Sequence, residues 1–128
     1  MAIQPIASCS KFESAMAYSR SVVEGAWIFV SGTTGFNYAT MEISDNVASQ
    51  AEQTFLNIKA AMEKAGFGLG DIVRVHYILP KAEDFPACWP AFKKFLGDVR
   101  PAATMFVAGL ADPRMKIEIE VTGKKTHP

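Results

Sequence analysis

Ile72-Val73-Arg74-Val75-His76-Tyr77-Ile78-Leu79 is an eight-residue run with no glycine or proline, rich in β-branched side chains. Successive side chains of a strand point to opposite faces. Val73, Val75, Tyr77 and Leu79 therefore form a wholly apolar face that helices should cover. Ile72, Arg74, His76 and Ile78 form a mixed face on which Arg74 and His76 lie side by side. A strand of this kind belongs to a sheet with one buried and one partly polar side.

Working outward, residues from about Asp45 to Ala65 carry Val47, Ala51, Phe55, Ile58, Met62 and Ala65 at spacings of four and three, one apolar stripe on a helix. Ser44 is the expected N-cap, Asp45 suits the positive end of the helix dipole, and Gly66 suits the C′ position. Ser49, Glu52, Gln53 and Lys59 mark the solvated side. Downstream, a second helix runs from Asp84 or later to about Leu96 and is closed by Gly97. Pro86 fits a first turn. Pro90 either kinks this helix or marks its start just after Trp89.

Between Ser19 and Gly32 the pattern predicts a hairpin: Val22-Val23, a Glu24-Gly25 turn, then the continuously apolar Trp27-Ile28-Phe29-Val30, as in a strand covered on both faces. Ser31-Gly32 should end that strand, with an irregular loop over residues 33–41. Near the C-terminus, Thr104 to Val107 reads as a strand. Lys116 to Thr122 alternates, with Ile117, Ile119 and Val121 opposite Lys116, Glu118, Glu120 and Thr122. Asp112-Pro113-Arg114 supplies the turn between them. The order of hairpin, helix, strand, helix, strand, strand predicts an α+β fold, two helices on one face of a single mixed sheet. The other sheet face is too apolar for plain solvent surface, and a symmetric oligomer that buries it is the expected solution.

Composition narrows the function. The 128 residues suit one domain spanning the whole chain. Thirteen Lys and Arg balance 13 Asp and Glu, which gives no electrostatic reason to expect nucleic acid or an anionic membrane as partner. No apolar run approaches the roughly 20 residues of a spanning helix, and Met1 to Pro5 lacks the pattern of a signal peptide. Cys9 and Cys88 have no metal-ligand spacing and are expected as two free thiols in a reducing cytoplasm. Cys88 beside Trp89 has no base placed for it by sequence, so it is not expected to act as a nucleophile.

Several segments together resemble one family. They are Ser31-Gly32 after an apolar strand, Ala65-Gly66 followed by Asp71-Ile72-Val73, Asp84-Phe85 opening the second helix, Arg100-Pro101-Ala102, Leu110, and Lys116-Ile117-Glu118-Ile119-Glu120. With this spacing the chain, from about Tyr18 to Glu120, resembles the YjgF/RidA family, also called the L-PSP endoribonuclease group. The resemblance implies a chorismate-mutase-like fold and a homotrimer with ligand clefts between subunits. It also implies hydrolysis of reactive enamines and imines to 2-keto acids and ammonia, with no metal or organic cofactor. Its partners are then a small metabolite and copies of itself.

An imino acid carries a carboxylate that an arginine fork holds well. Its carbon is attacked by a water that a carboxylate can orient or deprotonate. Glu120 matches the family glutamate and is the expected catalytic residue. The family's arginine position is Ala103, whose methyl cannot hold a carboxylate. Met105 stands where the family residue is usually small or sulfur-bearing, and Trp89 at a helix position that is often Asn. The expected cleft is therefore bulkier and more apolar. Tyr18 matches a position at its mouth, and Gly32, from the Ser31-Gly32 match, is a further expected substrate-binding residue. Arg74, His76 or Arg100 is the candidate replacement cation. Arg114, in a turn, and His127, in the polar tail, are given no role. The alternatives to a hydrolase are a non-catalytic trimer that binds a metabolite and, last, a ribonuclease. The latter wants a basic surface that this neutral chain lacks.

Overall fold

The computed structural model describes residues 3–7 and 10–125, so Cys9 and His127 lie outside the described residues. Its elements are β1 (Gln4–Ile6), α1 (Lys11–Met16), β2 (Ser21–Glu24), β3 (Trp27–Thr34), β4 (Phe36–Asn37), β5 (Glu42–Ile43), α2 (Val47–Lys64), β6 (Ile72–Leu79), α3 (Phe85–Leu96), β7 (Ala102–Val107) and β8 (Glu118–Lys124). Six strands form one sheet in the order β1-β2-β3-β8-β6-β7, and β4 pairs with β5 apart from it. Every pairing is antiparallel except β6 with β7, which are parallel and joined through α3. Among the described residues, no helix is long and apolar enough to cross a membrane.

The hairpin forms as the pattern requires. The two-residue loop Gly25-Ala26 joins β2 to β3, and Gly25 takes φ +60°, which only glycine adopts freely at this position. β3 does not stop at Gly32. Its pairing with β8 shifts register between Val30 and Thr33 and then resumes to Thr34. Such a bulge bends a strand and re-aims its side chains. Beyond it, the stretch expected to be an irregular loop contains β4, which pairs with β5 just past that stretch.

α2 carries the expected stripe, with Ala51, Phe55, Ile58 and Met62 fully buried. Its N-cap is Asn46, not Ser44: the Asn46 side chain accepts from the Ser49 N–H at 2.9 Å, while Ser44 Oγ accepts from the Asn46 N–H. The helix therefore starts at Val47, later than Asp45. α3 starts at Phe85 and keeps Pro90 in its interior. The missing Pro90 N–H leaves the Pro86 carbonyl without its usual intrahelical donor. On β6, Val75, Tyr77 and Leu79 are buried as expected, but the register shift against β8 between Ile72 and Arg74 buries Ile72 and exposes Val73. Ile117, Ile119 and Val121 are buried, as their alternation requires.

Two features escaped the sequence pattern. β1 and α1 form ahead of the hairpin. α1 is capped by Ser10, whose Oγ accepts from the Phe12 N–H, and ends at Ala17 in the left-handed region. Gln50, next to the apolar stripe of α2, is fully buried. Its Nε2 donates to the carbonyls of Ser44 (2.6 Å) and Arg114 (2.9 Å), and its Oε1 accepts from the Lys116 N–H (2.8 Å). It ties the segment entering β8 to the start of α2. Gln50→Leu should leave these three groups unpaired and cost on the order of 2 kcal/mol, read as a lowered midpoint in urea.

α2 and α3 cover one sheet face, so the α+β expectation holds. Within one chain the other face is bare: Trp27 and Phe29 stack on each other at 37% and 47% exposure, and Phe106 is 43% exposed. β3 is thus covered on one side only, not on both. β7 is a sheet edge with exposed side chains along most of its length.

Candidate active site

Ile119 points into the core, so its neighbours Glu118 and Glu120 emerge together on the bare face of β8. Glu120 lies opposite His76 in the β6–β8 register, and His76 Nδ1 is 2.7 Å from Glu120 Oε1. The imidazole also meets Phe106 edge-on, with ring centroids 5.4 Å apart. Arg74, two residues before His76 on the same face, joins His76, Glu120, Phe29 and Thr122 around a groove of about 200 Å³. Lys116, which could have paired with Glu120, instead donates to the Asp45 carbonyl.

On its other side Glu120 lines a larger cavity of about 500 Å³, shared with Glu118, Tyr18, Gly32, Ser31 and Met115. The bulge in β3 brings Gly32 against Glu118. A Cβ on Gly32 would stand 2.7 Å from Glu118 Oε2, so the absence of a side chain makes room for that carboxyl. Burial raises the Glu118 pKa above the ordinary glutamate value. The Glu120 charge adds to the rise, and Arg20 opposes it.

Arg20 builds the wall behind this cavity. It is 3% exposed, and its guanidinium donates to the Gly32 carbonyl (2.9 Å), Thr33 Oγ1 (3.1 Å) and the Tyr18 hydroxyl oxygen (3.0 Å). It lies over the Tyr38 ring at 4.8 Å, and its Nε is 3.9 Å from Glu13. Because Arg20 donates to the Tyr18 oxygen, the Tyr18 hydroxyl proton is left to donate elsewhere. Glu13, buried on α1, also accepts from the Arg20 backbone N–H at 3.1 Å. A buried arginine spent on structural acceptors is a positioning group, not a free substrate clamp.

The remaining expected residues fall elsewhere. The parallel register pairs Ala103 with Val75 and Met105 with Tyr77, which puts both on the helix-covered side of the edge strand β7. Met105 packs against the core, and Trp89 is half-exposed on α3 with its ring against Phe85. Arg100 is exposed, with φ +53° and its N–H on the Leu96 carbonyl. In one chain, therefore, Tyr18, Gly32 and Glu120 meet, with His76 and Arg74 beside them. Ala103 and Met105 face the helix-covered side of the same sheet, and Trp89 stands on α3.

Other groups offer less. Arg114 is bonded to Asp112 in the turn. The Cys88 thiol is buried, and desolvation, aided by the Asp84 charge, pushes its pKa up to about 11, which makes it a poor nucleophile. A cavity of about 480 Å³ beside α2 is lined by Asn57 and Lys64 among others. Asn57 already donates to the Thr34 and Phe36 carbonyls, and Lys64 to that of Ala7. Among the described residues, no three His, Cys, Asp or Glu side chains gather as a metal-binding group.

Sequence reading missed Arg20, Glu13 and Glu118 as parts of this site. The one local signal was the Glu118-Ile119-Glu120 alternation, which sends both carboxylates to one face.

The chain is thus a two-layer α+β domain with two carboxylates on its open sheet face, backed by an arginine-braced tyrosine and glycine. Residues 9–124 match the sequence profile described as Endoribonuclease L-PSP. A 2-iminobutanoate/2-iminopropanoate deaminase from Dermatophagoides farinae is 31% identical over 104 residues, 80% of this chain and 81% of that protein. The Escherichia coli K12 protein of the same name is 32% identical over 106 residues, 80% of this chain and 83% of its own length. A crystal structure of a YjgF/YER057c/UK114 family member from Mycobacterium tuberculosis superimposes with a TM-score of 0.87 at 30% identity, covering 97% of this chain and all of that one. The chain belongs to the YjgF/RidA family, the L-PSP endoribonuclease group.

Proposed function

We propose that this protein hydrolyses a small imine or enamine, releasing ammonia, with Glu120 directing the attacking water. The observation that carries the reading is the placement of Glu120. It lines a cavity with Tyr18 and Gly32 while His76 holds its outer oxygen at 2.7 Å. A carboxylate fixed on one side and open on the other can orient a water and accept its proton. The names of the deaminase relatives agree with this chemistry.

The substrate differs from a simple imino acid. Ala103 offers no fork for a carboxylate, and the guanidinium of Arg20 is already committed. The working form is a homotrimer, in which β7 of one copy, with Ala103 and Met105, and its α3, with Trp89, stand beside the Glu120 cavity of the next. The bare apolar sheet face supports this assembly.

The test is ammonia release from 2-iminobutanoate and 2-iminopropanoate made in place by a dehydratase, run beside an acyclic N–H ketimine with no carboxylate. The expected result is clear acceleration of the carboxylate-free imine and weak or no acceleration of the imino acids. No acceleration of any of the three would exclude the reading. A second reading, a trimer that binds a metabolite without turning it over, is favoured by Ala103 alone. It predicts thermal stabilisation by the same compounds with no ammonia released.

A further inference from the structure

Hydrolysis of a C=N bond needs two proton movements. The water that attacks carbon must lose a proton, and the nitrogen must gain protons before it can leave. The reading above assigns the first to Glu120 and leaves the second without a donor. The Tyr18 hydroxyl oxygen already accepts from Arg20, and the Arg20 guanidinium is bonded to Gly32 and Thr33.

Glu118 is the group that remains. It shares the strand face and the cavity with Glu120. Two residues apart on one strand face, their Cα atoms lie roughly 7 Å apart, which leaves room for a planar C=N group and a water between the carboxyls. Glu118 sits in the hollow above Gly32 that a methyl group would fill. The ionisable or charged groups facing it are Glu120 on its own strand, Arg20 behind Gly32, and Tyr18 and Tyr38 across the cavity, with His76 beyond Glu120. Desolvation and the Glu120 charge hold its proton on, and Arg20 opposes them; among the described residues no hydrogen bond holds it as a carboxylate. Two carboxyls in one site whose surroundings differ in this way divide into an acid and a base.

We propose that Glu118 is a second catalytic group of this site, the acid that protonates the substrate nitrogen while Glu120 takes a proton from the attacking water. The proposal rests on the hydrolase reading of the site. In the first step the water oxygen bonds to the imine carbon and the C=N π bond breaks. Glu120 gains a proton from the water, and Glu118 gives its proton to nitrogen. The result is a neutral carbinolamine between an ionised Glu118 and a protonated Glu120. In the second step Glu120 protonates the amine, the C–N bond breaks, ammonia leaves, and Glu118 takes the hydroxyl proton as the carbonyl forms. Both carboxyls return to their starting states, and the net change is imine plus water to carbonyl plus ammonia.

Because Glu118 must be protonated to begin the cycle, turnover should fall as pH rises through its raised midpoint. Glu118→Gln keeps the size of the side chain but has no proton to transfer. On the imine that the wild type turns over fastest, kcat should fall by about 100-fold or more, and the decline with rising pH should vanish from the pH profile. In ¹³C NMR of the glutamate carboxyls, the Glu118 midpoint should lie above the ordinary range, and Glu120→Gln should lower it. A Glu118→Gln protein with near-wild-type kcat and an unchanged decline with rising pH overturns the role. So does a Glu118 midpoint in the ordinary range that ignores Glu120→Gln. An inactive wild type would bring down the hydrolase reading and this role together, whereas an active wild type indifferent to Glu118 brings down this role alone.

Discussion

Glu120→Gln is expected to reduce imine hydrolysis by about 10²–10⁴-fold while leaving the melting temperature nearly unchanged. The two halves of this expectation come from the same geometry. The Glu120 carboxylate is 46% exposed and its His76 partner 26% exposed, so solvent screens the pair and its share of the folding free energy is small, about 0–1 kcal/mol. A glutamine oxygen can still accept from His76 Nδ1 at the distance the carboxylate uses. It cannot take a proton from water. Steady-state ammonia release and a thermal melt on the same preparation separate these effects. Unchanged turnover would remove Glu120 from the chemistry, whereas a collapsed melting temperature would make it a structural residue.

Phe55→Ala should give the largest loss of stability, about 3–5 kcal/mol. Phe55 is fully buried on α2, stacks on Phe95 at 5.0 Å and meets Phe92 edge-on at 6.0 Å. Phe92 in turn stacks on Tyr77 of β6 at 4.0 Å, so one ring system joins both helices to the sheet. Removing Phe55 opens a cavity where three elements meet, and none of them can close it alone. For a domain of this size the melting temperature should drop by on the order of 10 °C or more, read by calorimetry at fixed protein concentration because assembly would also shift it. A drop of only a degree or two would mean that the helices re-pack around the gap.

The elements legible in the sequence are those whose pattern is long and local. The stripe from Val47 to Met62 and the alternation from Ile117 to Val121 each repeat enough times to fix a period. β1 has three residues and α1 six, too few for a period to show, so both were missed. The bulges at Val30/Thr33 and at Ile72/Arg74 break a period of two, and local alternation cannot report where it breaks.

The site follows the same division. Family spacing picked out Glu120, Tyr18 and Gly32, and the structure brings those three to one cavity. Glu118 was visible as an outward-facing residue of its strand, but its meeting with Gly32 depends on the register of strands some 85 positions apart in the chain. Arg20 was illegible for a related reason. Its hydrogen-bond acceptors are a carbonyl and two hydroxyls, which carry no charge to read, and its charged neighbour Glu13 lies on α1, a helix too short to show in the pattern. The parallel register that turns Ala103 and Met105 to the helix side is likewise fixed by β6, not by β7.

The position of β8 has a consequence for biosynthesis. It lies between β3 and β6 at the middle of the sheet, yet the ribosome makes it after every other strand. A nascent chain that has emerged as far as β7 holds two separate fragments, β1-β2-β3 and β6-β7, with no strand between them. Each exposes an edge that β8 later occupies. Pairings so distant in sequence form slowly, and open edges attract other chains. Premature termination anywhere before Glu118 would therefore release a product that cannot complete its sheet, even with most of its helices and strands already made. Quality control would have to recognise it by those two unfilled edges.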